Sequence, residues 1–413
     1  MRRIGLAMFG LILVSILALG VAEPARSPIE IGAVYPTAGA QGAGGLEEYR
    51  GVELAAEYVN GRGGVGGRPV HLRLADAESW DAAPDAVERL AQSGVTVVVG
   101  SYGSTISRPA AATASRLGLV FWETGAVGEL GVEAAGGTRV FRVSPTGGAL
   151  GRAAAAFVRD KLAPRIRLNR ALRYAVAYVD DVYGRAVGLG AVAEIRRSGL
   201  PLAAVFPYEL RRLRYEDLAD RIARARPDVL VVAAYLEDGV GLRRGLVRAR
   251  VPLVANIGTS SSYCMPAFGQ LLGREAVGVF ASDKPDGEVI RPDRLAPAGA
   301  GALRWGTAEY RRQYTEAMTA PALAGFAGGL GLFEYTLPRA RDLSANAVAE
   351  AARAVNLPEG TLPNGSGLAF ATAGSPDAGA NLHAASVIWE WIRPYTRAVV
   401  WPESFATHPI VFP

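Results

Sequence analysis

Val95-Thr96-Val97-Val98-Val99-Gly100-Ser101-Tyr102-Gly103-Ser104-Thr105 is the stretch on which the fold turns. Residues 95–99 are β-branched without a break, the pattern of a strand buried on both faces in a parallel sheet. Small residues follow, and apolar positions then return at helical spacing from Ser104 to Leu117. Strand, small-residue loop and helix make one βα unit.

The same unit recurs on both sides. Upstream, Ile29 to Tyr35 reads as a strand. Leu46, Tyr49, Val52, Ala56 and Val59 mark a helix ending near Asn60, and the glycine-rich stretch Gly61 to Gly67 is a turn. Val70 to Ala75 (strand), Pro84 to Ser93 (helix) and Leu119 to Trp122 (strand) continue the series. After Arg142 the alternation restarts, with helices at Gly148–Lys161, Gly184–Ser198, Tyr215–Ala225 and Asp238–Ala249. Strands at Arg173–Val179, Ala203–Pro207, Val229–Ala233 and Leu253–Asn256 lie between and after them. Lys284 to Gly306, rich in Pro, Gly and Ala, reads as a loop. Helical patterns follow at Ala308–Thr319, Ala322–Arg341 and Ser344–Val355, then strand-like runs at Leu368–Phe370, Ser386–Ile392 and Ala398–Trp401. Two runs of βα units of similar length predict two α/β lobes with doubly wound parallel sheets.

A chain of 413 residues has room for two such lobes, and 50% hydrophobic with 20% charged residues is the balance of a soluble globular protein. The net charge of +5 is carried almost wholly by arginine interleaved with Asp and Glu; Lys161 and Lys284 are the lysines. No basic stripe with stacking aromatics is present, which argues against nucleic acid as a partner. Arg2-Arg3, the apolar run Ile4 to Ala22 and the small residues Gly20 and Ala22 follow the order of a secretory signal. Residues 1–22 are therefore expected to be a cleaved signal peptide, with an uncleaved anchor as the alternative. The mature body is expected outside the cytoplasm, in the periplasm or its equivalent, as a monomer. The single cysteine, Cys264, allows no internal disulfide or cysteine-built metal site, and His71, His383 and His408 stand isolated. No metal or cofactor is expected.

In open parallel sheets ligands bind beyond the carboxyl ends of the strands, at helix N-termini. The loop Pro36 to Gly45 invites comparison with a dinucleotide fingerprint. However, Gly39, Gly42, Gly44 and Gly45 do not space as G-x-G-x-x-G, and the acid ending the next strand, Asp76, comes too late. In the loop Gly100 to Thr105, Ser104 or Thr105 can cap the helix that follows and can also hold a carboxylate against its N-terminus. After the next strand, Gly125 and Ala126 can offer backbone groups, with Glu123 as a buried structural acid. In the second half, Tyr183 within Asp180-Asp181-Val182-Tyr183-Gly184, Tyr235, and Asp238 at the next helix start lie at strand ends. Both tyrosines are of a kind that covers an apolar ligand. Thr259 and Ser260, in the hydroxyl-rich loop Gly258 to Ser262, can hydrogen-bond a ligand. No G-x-S-x-G elbow and no nucleophile with an evident base occurs, so binding rather than catalysis is expected.

Several short stretches carry a family resemblance. They are Ile31-Gly32-Ala33 with Thr37-Ala38-Gly39, Asn60 to Gly67, and Val98-Val99-Gly100 ahead of Ser104. Phe141-Arg142-Val143-Ser144-Pro145, Asp180 to Gly184, Pro227-Asp228 leading to Tyr235, and Gly278-Val279-Phe280 follow in order. On these the chain resembles the leucine/isoleucine/valine-binding proteins, the type I periplasmic solute receptors of ABC importers. The resemblance implies a Venus-flytrap fold, two lobes joined by three crossovers. Residues 29–146 with 284–378 would form the first lobe, and 147–283 with 379–413 the second. It also implies a small amino-acid-like solute, with a membrane permease as partner. By the same resemblance, Ser104 and the backbone of Gly125 would hold the solute's carboxylate, and Tyr183 and Tyr235 would close over it. Two positions depart. Val127 stands where relatives commonly carry Thr, and the Thr259-Ser260 region stands where some carry a Glu that pairs the solute's ammonium. A buried ammonium needs an acid, so Asp238 or Glu123 would have to supply it. Otherwise the solute is an amide, a urea or a carboxylate without an amine. A sensor of the same fold is the alternative function, and a secreted α/β enzyme a more distant one.

Overall fold

The structure, a computed structural model, describes residues 27–131, 139–287, 289–375 and 377–412; the segment read as a signal peptide lies outside the described residues. The first run of elements is β1 (Ile29–Tyr35), α1 (Gly42–Asn60), β2 (Val70–Asp76), α2 (Ala82–Gln92), β3 (Val97–Gly100), α3 (Ser104–Arg116), β4 (Val120–Glu123) and β5 (Val140–Arg142). The second is α4 (Gly147–Phe157), β6 (Tyr174–Val179), α5 (Val182–Arg197), β7 (Leu202–Tyr208), α6 (Tyr215–Ala225) and β8 (Val229–Ala233). It continues with α7 (Leu236–Arg248), β9 (Ala255–Thr259), α8 (Pro266–Leu272) and β10 (Val279–Asp283). Then come α9 (Pro297–Tyr314), α10 (Ala320–Leu330), α11 (Ala345–Ala354), the short ladder β11 (Asn356–Leu357) and β12 (Leu368–Ala369), and the hairpin β13 (Val387–Arg393) with β14 (Thr396–Trp401).

The first sheet runs β2-β1-β3-β4-β5, all parallel. The second runs β7-β6-β8-β9-β10 in parallel and is extended by β13 and β14, which are antiparallel. Counted within each lobe, both sheets have the order 2-1-3-4-5. That order reverses direction between the first and third strands, so each lobe opens a crevice there, beyond the strands' carboxyl ends. β3, β6 and β8 are buried at every position, as strands covered by helices on both faces must be. The second lobe has one large core that includes Phe280, Trp389 and Trp391. In the first lobe, α1, α9, α10 and α11 cover one face of the sheet, and α2 and α3 the other.

Two helix pairs pack at backbone distance. A Cβ on Gly51 of α1 would lie 2.0 Å from the carbonyl oxygen of Ala322 at the start of α10. A Cβ on Gly151 of α4 would lie 2.0 Å from that of Val187 in α5. Only glycine permits either approach.

The stretch Lys284 to Gly306, read as a loop, is corrected: α9 begins at Pro297. Proline fits the first helical turn, where no N–H partner is needed. The glycines that suggested a loop serve packing instead, Gly299 against the backbone of Gly360 and Gly306 against the Phe326 ring. The chain passes between sheets three times, after β5, after β10 and before β13. The first and third passages are bonded together. Arg142 N donates to Gly379 O (2.8 Å) and Asn381 N to Arg142 O (2.9 Å). The Asn381 amide donates to Val143 O and Gly367 O, both at 3.0 Å.

Candidate ligand cleft

The strand-end loops of the two lobes meet at Gly128. A Cβ there would lie 2.8 Å from Ser104 Oγ of the first lobe and 2.9 Å from Val182 Cγ1 of the second, so the lobes touch across a glycine. Ser104 opens α3, and its hydroxyl oxygen accepts the Gly128 N–H at 2.9 Å. The hydroxyl proton is left to donate. Gly103 caps the helix without a side chain, which leaves the first N–H groups of α3 for an acceptor in the cleft. The Thr105 hydroxyl is held by the Gln41 side-chain amide at 2.7 Å.

Glu123 gathers the loops of this lobe. Its buried carboxylate accepts the backbone N–H groups of Ser101 (3.1 Å), Gly125 (2.7 Å) and Ala126 (2.7 Å), and the Ser107 hydroxyl. Burial pushes this acid up, and these bonds hold it back. The amides of Gly125 and Ala126, expected to serve a ligand, are thus spent on Glu123. Glu123 thereby ties the loops after β3 and β4 together. What Gly125 still offers is its carbonyl oxygen, which accepts Lys284 Nζ at 2.9 Å.

In the second lobe Tyr183 lies in the core, and its hydroxyl bonds Thr259 Oγ1 (3.0 Å) and the carbonyl of Ser260. Thr259 through its hydroxyl and Ser260 through its backbone carbonyl thus anchor this ring, and the Ser260 hydroxyl takes no part in it. Tyr235, half-buried, lies against Tyr183 with ring centroids 5.3 Å apart and donates to Asp181 Oδ2 at 2.7 Å. Asp238 opens α7 and faces Tyr208. It is 2% exposed and accepts the Tyr208 hydroxyl at 2.5 Å. Burial lifts it to about 6, with the Tyr208 bond opposing. A hollow of about 550 Å³ beside it, lined by Asp180, Tyr208, Glu209, Arg212 and Arg214 among others, lies at the outer edge of the sheet. Two of its arginines are paired within its own rim, Arg212 with Glu209 and Arg214 with Asp217.

Three charged residues that the sequence reading passed over stand at the cleft. Glu48 of α1 is fully buried, takes the Thr124 hydroxyl on Oε1 at 2.6 Å, and has Oε2 against Gly125, where a Cβ would lie 1.9 Å away. Burial pushes it up to about 8, and the positive charge of Lys284 opposes this. Asp283, the last residue of β10, accepts the Cys264 thiol at 2.7 Å. Burial pushes it up too, against Lys284 and the thiol bond. A signal for Glu48 exists in the sequence. It falls in the stripe Gly45, Glu48, Val52, Ala55, Val59, where an acid interrupts the inward face of a helix.

Two α/β lobes of one topology, meeting over strand-end loops, define a bilobal solute-binding protein of the type I periplasmic kind. The chain belongs to the periplasmic binding protein family, whose model, described as periplasmic binding protein, matches residues 28–382. The Leu/Ile/Val-binding protein homolog 7 of Brucella melitensis is 25% identical over 364 residues, 87% of this chain and 90% of the relative. Among solved structures, the branched-chain amino acid substrate-binding protein LivJ of Streptococcus pneumoniae, in complex with isoleucine, superimposes with a TM-score of 0.70 at 18% identity, covering 91% of this chain and all of that one. A solute-binding protein of an ABC transporter from R. palustris, in complex with benzoate, gives 0.70 at 16% identity over 92% and 98%.

Proposed function

We propose that this protein is the extracytoplasmic solute receptor of an ABC importer, which captures a small carboxylate-bearing solute of the amino-acid class by lobe closure and presents the closed form to a membrane permease. On this reading the lobes are 29–146 with 284–378 and 147–283 with 379–413. The observation that carries it is the meeting of Ser104, Gly128 and Val182, which brings two lobes of identical strand order together at their ligand-binding edges. The Ser104 hydroxyl and the N-terminus of α3 receive the carboxylate, and Tyr183 with Tyr235 forms the opposite wall. A solute touching both sides stabilises the closed form through its differential affinity for it. Capture without chemistry fits the family, whose curated relatives are named as binding proteins. Export fits the family and the N-terminal signal. Relatives whose names mention branched-chain amino acids or benzoate support a carboxylate ligand.

The test is a thermal-shift screen of the mature chain against amino acids, short carboxylates, amides and ureas, in which a binder raises the melting temperature by linkage. Ser104→Ala is expected to weaken the solute so found by about 1–3 kcal/mol. Unchanged affinity would reduce Ser104 to a helix-terminal residue.

A further inference from the structure

We propose that the pole of the second lobe farthest from the cleft binds an anionic phospholipid surface, through the arginines of the loop before β6. The inference goes beyond the receptor reading and does not depend on it. Charge is unevenly divided along the chain. Residues 147–283 hold 21 lysines and arginines against 13 aspartates and glutamates, whereas 29–146 with 284–378 hold 18 against 23. One lobe is thus basic and the other acidic, a separation that orients the molecule in the field of a charged surface.

The excess is densest between Asp160 and Asp180, where Lys161, Arg165, Arg167, Arg170 and Arg173 stand without an intervening acid. Ile166 and Leu172 pack against the core of the lobe, and Arg165, Arg167 and Arg173 are left exposed. The loop lies at the amino-terminal edge of the sheet, opposite the cleft. Arg173 immediately precedes β6, and its guanidinium donates to the carbonyl of Ala225, the last residue of α6, at 3.1 Å. The ends of α5 and α6 add Arg196, Arg224 and Arg226, all exposed. The acids of this pole are already engaged: Glu194 by Arg159 and Arg197, Asp160 by Arg159, and Asp228 by Arg170.

Arginines at helix C-termini complement the macrodipole, which accounts for those at the ends of α5 and α6. It does not account for the loop, which precedes a strand. A row of cations with no acid among them matches a surface of phosphate groups, which each guanidinium can bond as a fork. Leu168, at 41% exposed, stands between Arg167 and Arg170, where an apolar side chain can enter the boundary between headgroups and acyl chains. The loop has no aromatic ring to stack on a base, which favours lipid over nucleic acid. With this pole on a bilayer, the acidic lobe and the cleft stay directed to solvent.

The experiment sediments the mature protein with vesicles of phosphatidylcholine alone or mixed equally with phosphatidylglycerol. Salt is set at about 20 mM and about 300 mM, where screening is weak and strong. Binding to the mixed vesicles is expected at low salt, with a loss of about tenfold or more at high salt and none to phosphatidylcholine. Arg165→Gln, Arg167→Gln and Arg173→Gln combined should weaken it about tenfold or more. Arg211→Gln, Arg212→Gln and Arg214→Gln combined remove the same charge from exposed positions near the cleft-side end of the lobe. This second variant should bind within about twofold of the wild type. Equal binding to both vesicle types, no binding at low salt, or an equal loss in the two variants would overturn the proposal. So would a duplex DNA oligonucleotide that binds more tightly than the mixed vesicles and is weakened by the first variant, since nucleic acid would then be the occupant. The single substitutions carry the same comparison if a triple variant does not fold.

Discussion

Glu48→Gln should abolish a loss of stability that the wild type suffers as pH rises. Unfolded, Glu48 titrates at its ordinary value of 4.5; folded, burial holds it near 8 despite Lys284. Between those two values the native state keeps a proton that the unfolded chain has released. Stability from this group is therefore fully present below about 4.5 and falls as pH rises toward 8. The slope is about 1.4 kcal/mol per pH unit, for a total of about 5 kcal/mol across the window. Glutamine has the same shape, can accept the Thr124 hydroxyl on Oε1, and never ionises. Its amide falls where Oε2 is already unbonded. The assay is urea unfolding of wild type and variant at pH 5, 6, 7 and 8. Other buried acids, among them Asp238 at about 6, tilt both curves alike, so the difference between them isolates Glu48. The two proteins should be nearly equal at pH 5, with the variant gaining at each step. A difference that stays constant with pH, or a wild type favoured at pH 8, would refute the assignment of Glu48 as an under-compensated buried acid.

Three further outcomes follow from the packing. Gly151→Ala forces a Cβ to within 2.0 Å of Val187 O and should lower stability by about 1–3 kcal/mol. Gly301→Ala, inside α9 with nothing within 4 Å of the added carbon, should raise it by about 0.5–1 kcal/mol; comparing the two melting temperatures checks both signs. Gly128→Val puts a branched side chain between Ser104 and Val182, so the lobes must part to admit it. Solute affinity should drop about tenfold or more, with a larger radius of gyration by X-ray scattering in the presence of solute. An unchanged affinity would mean that the lobes do not close on this glycine.

What could be read from the chain depended on how local its cause was. β1 and β8 form over the residues their apolar runs marked, and α6 over its amphipathic span, with Leu218, Ala219 and Ile222 inward. Those patterns report burial directly. β5, only three residues long, and β10 gave no comparable signal, and α9 was hidden because its glycines are there for Gly360 and Phe326. The site divides the same way. Ser104 at the start of α3 follows from a strand, a small-residue loop and a helix. That the amides of Gly125 and Ala126 belong to Glu123, or that Tyr208 claims Asp238, is decided by loops distant in sequence. Asp283 and Lys284 escaped notice because their importance lies in how many acids share one lysine, a property of the folded cleft.

Val127 shows how such a departure can be understood once the fold is known. The family resemblance leads one to expect a threonine hydroxyl at this position. Instead the Val127 side chain, carried on a loop of the first lobe, is buried in the core of the second. Its carbonyl accepts Gly147 N at 2.6 Å and the Arg142 guanidinium at 2.9 Å, beside the first passage between lobes. Burying a valine side chain contributes about 1.5–3 kcal/mol, and here that surface spans the boundary between the lobes. Part of what holds the two lobes together is therefore built into the chain itself. On the receptor reading, the solute would then need to supply only the remaining difference between open and closed forms, which a carboxylate at Ser104 and contacts to Tyr183 and Tyr235 would provide from opposite walls.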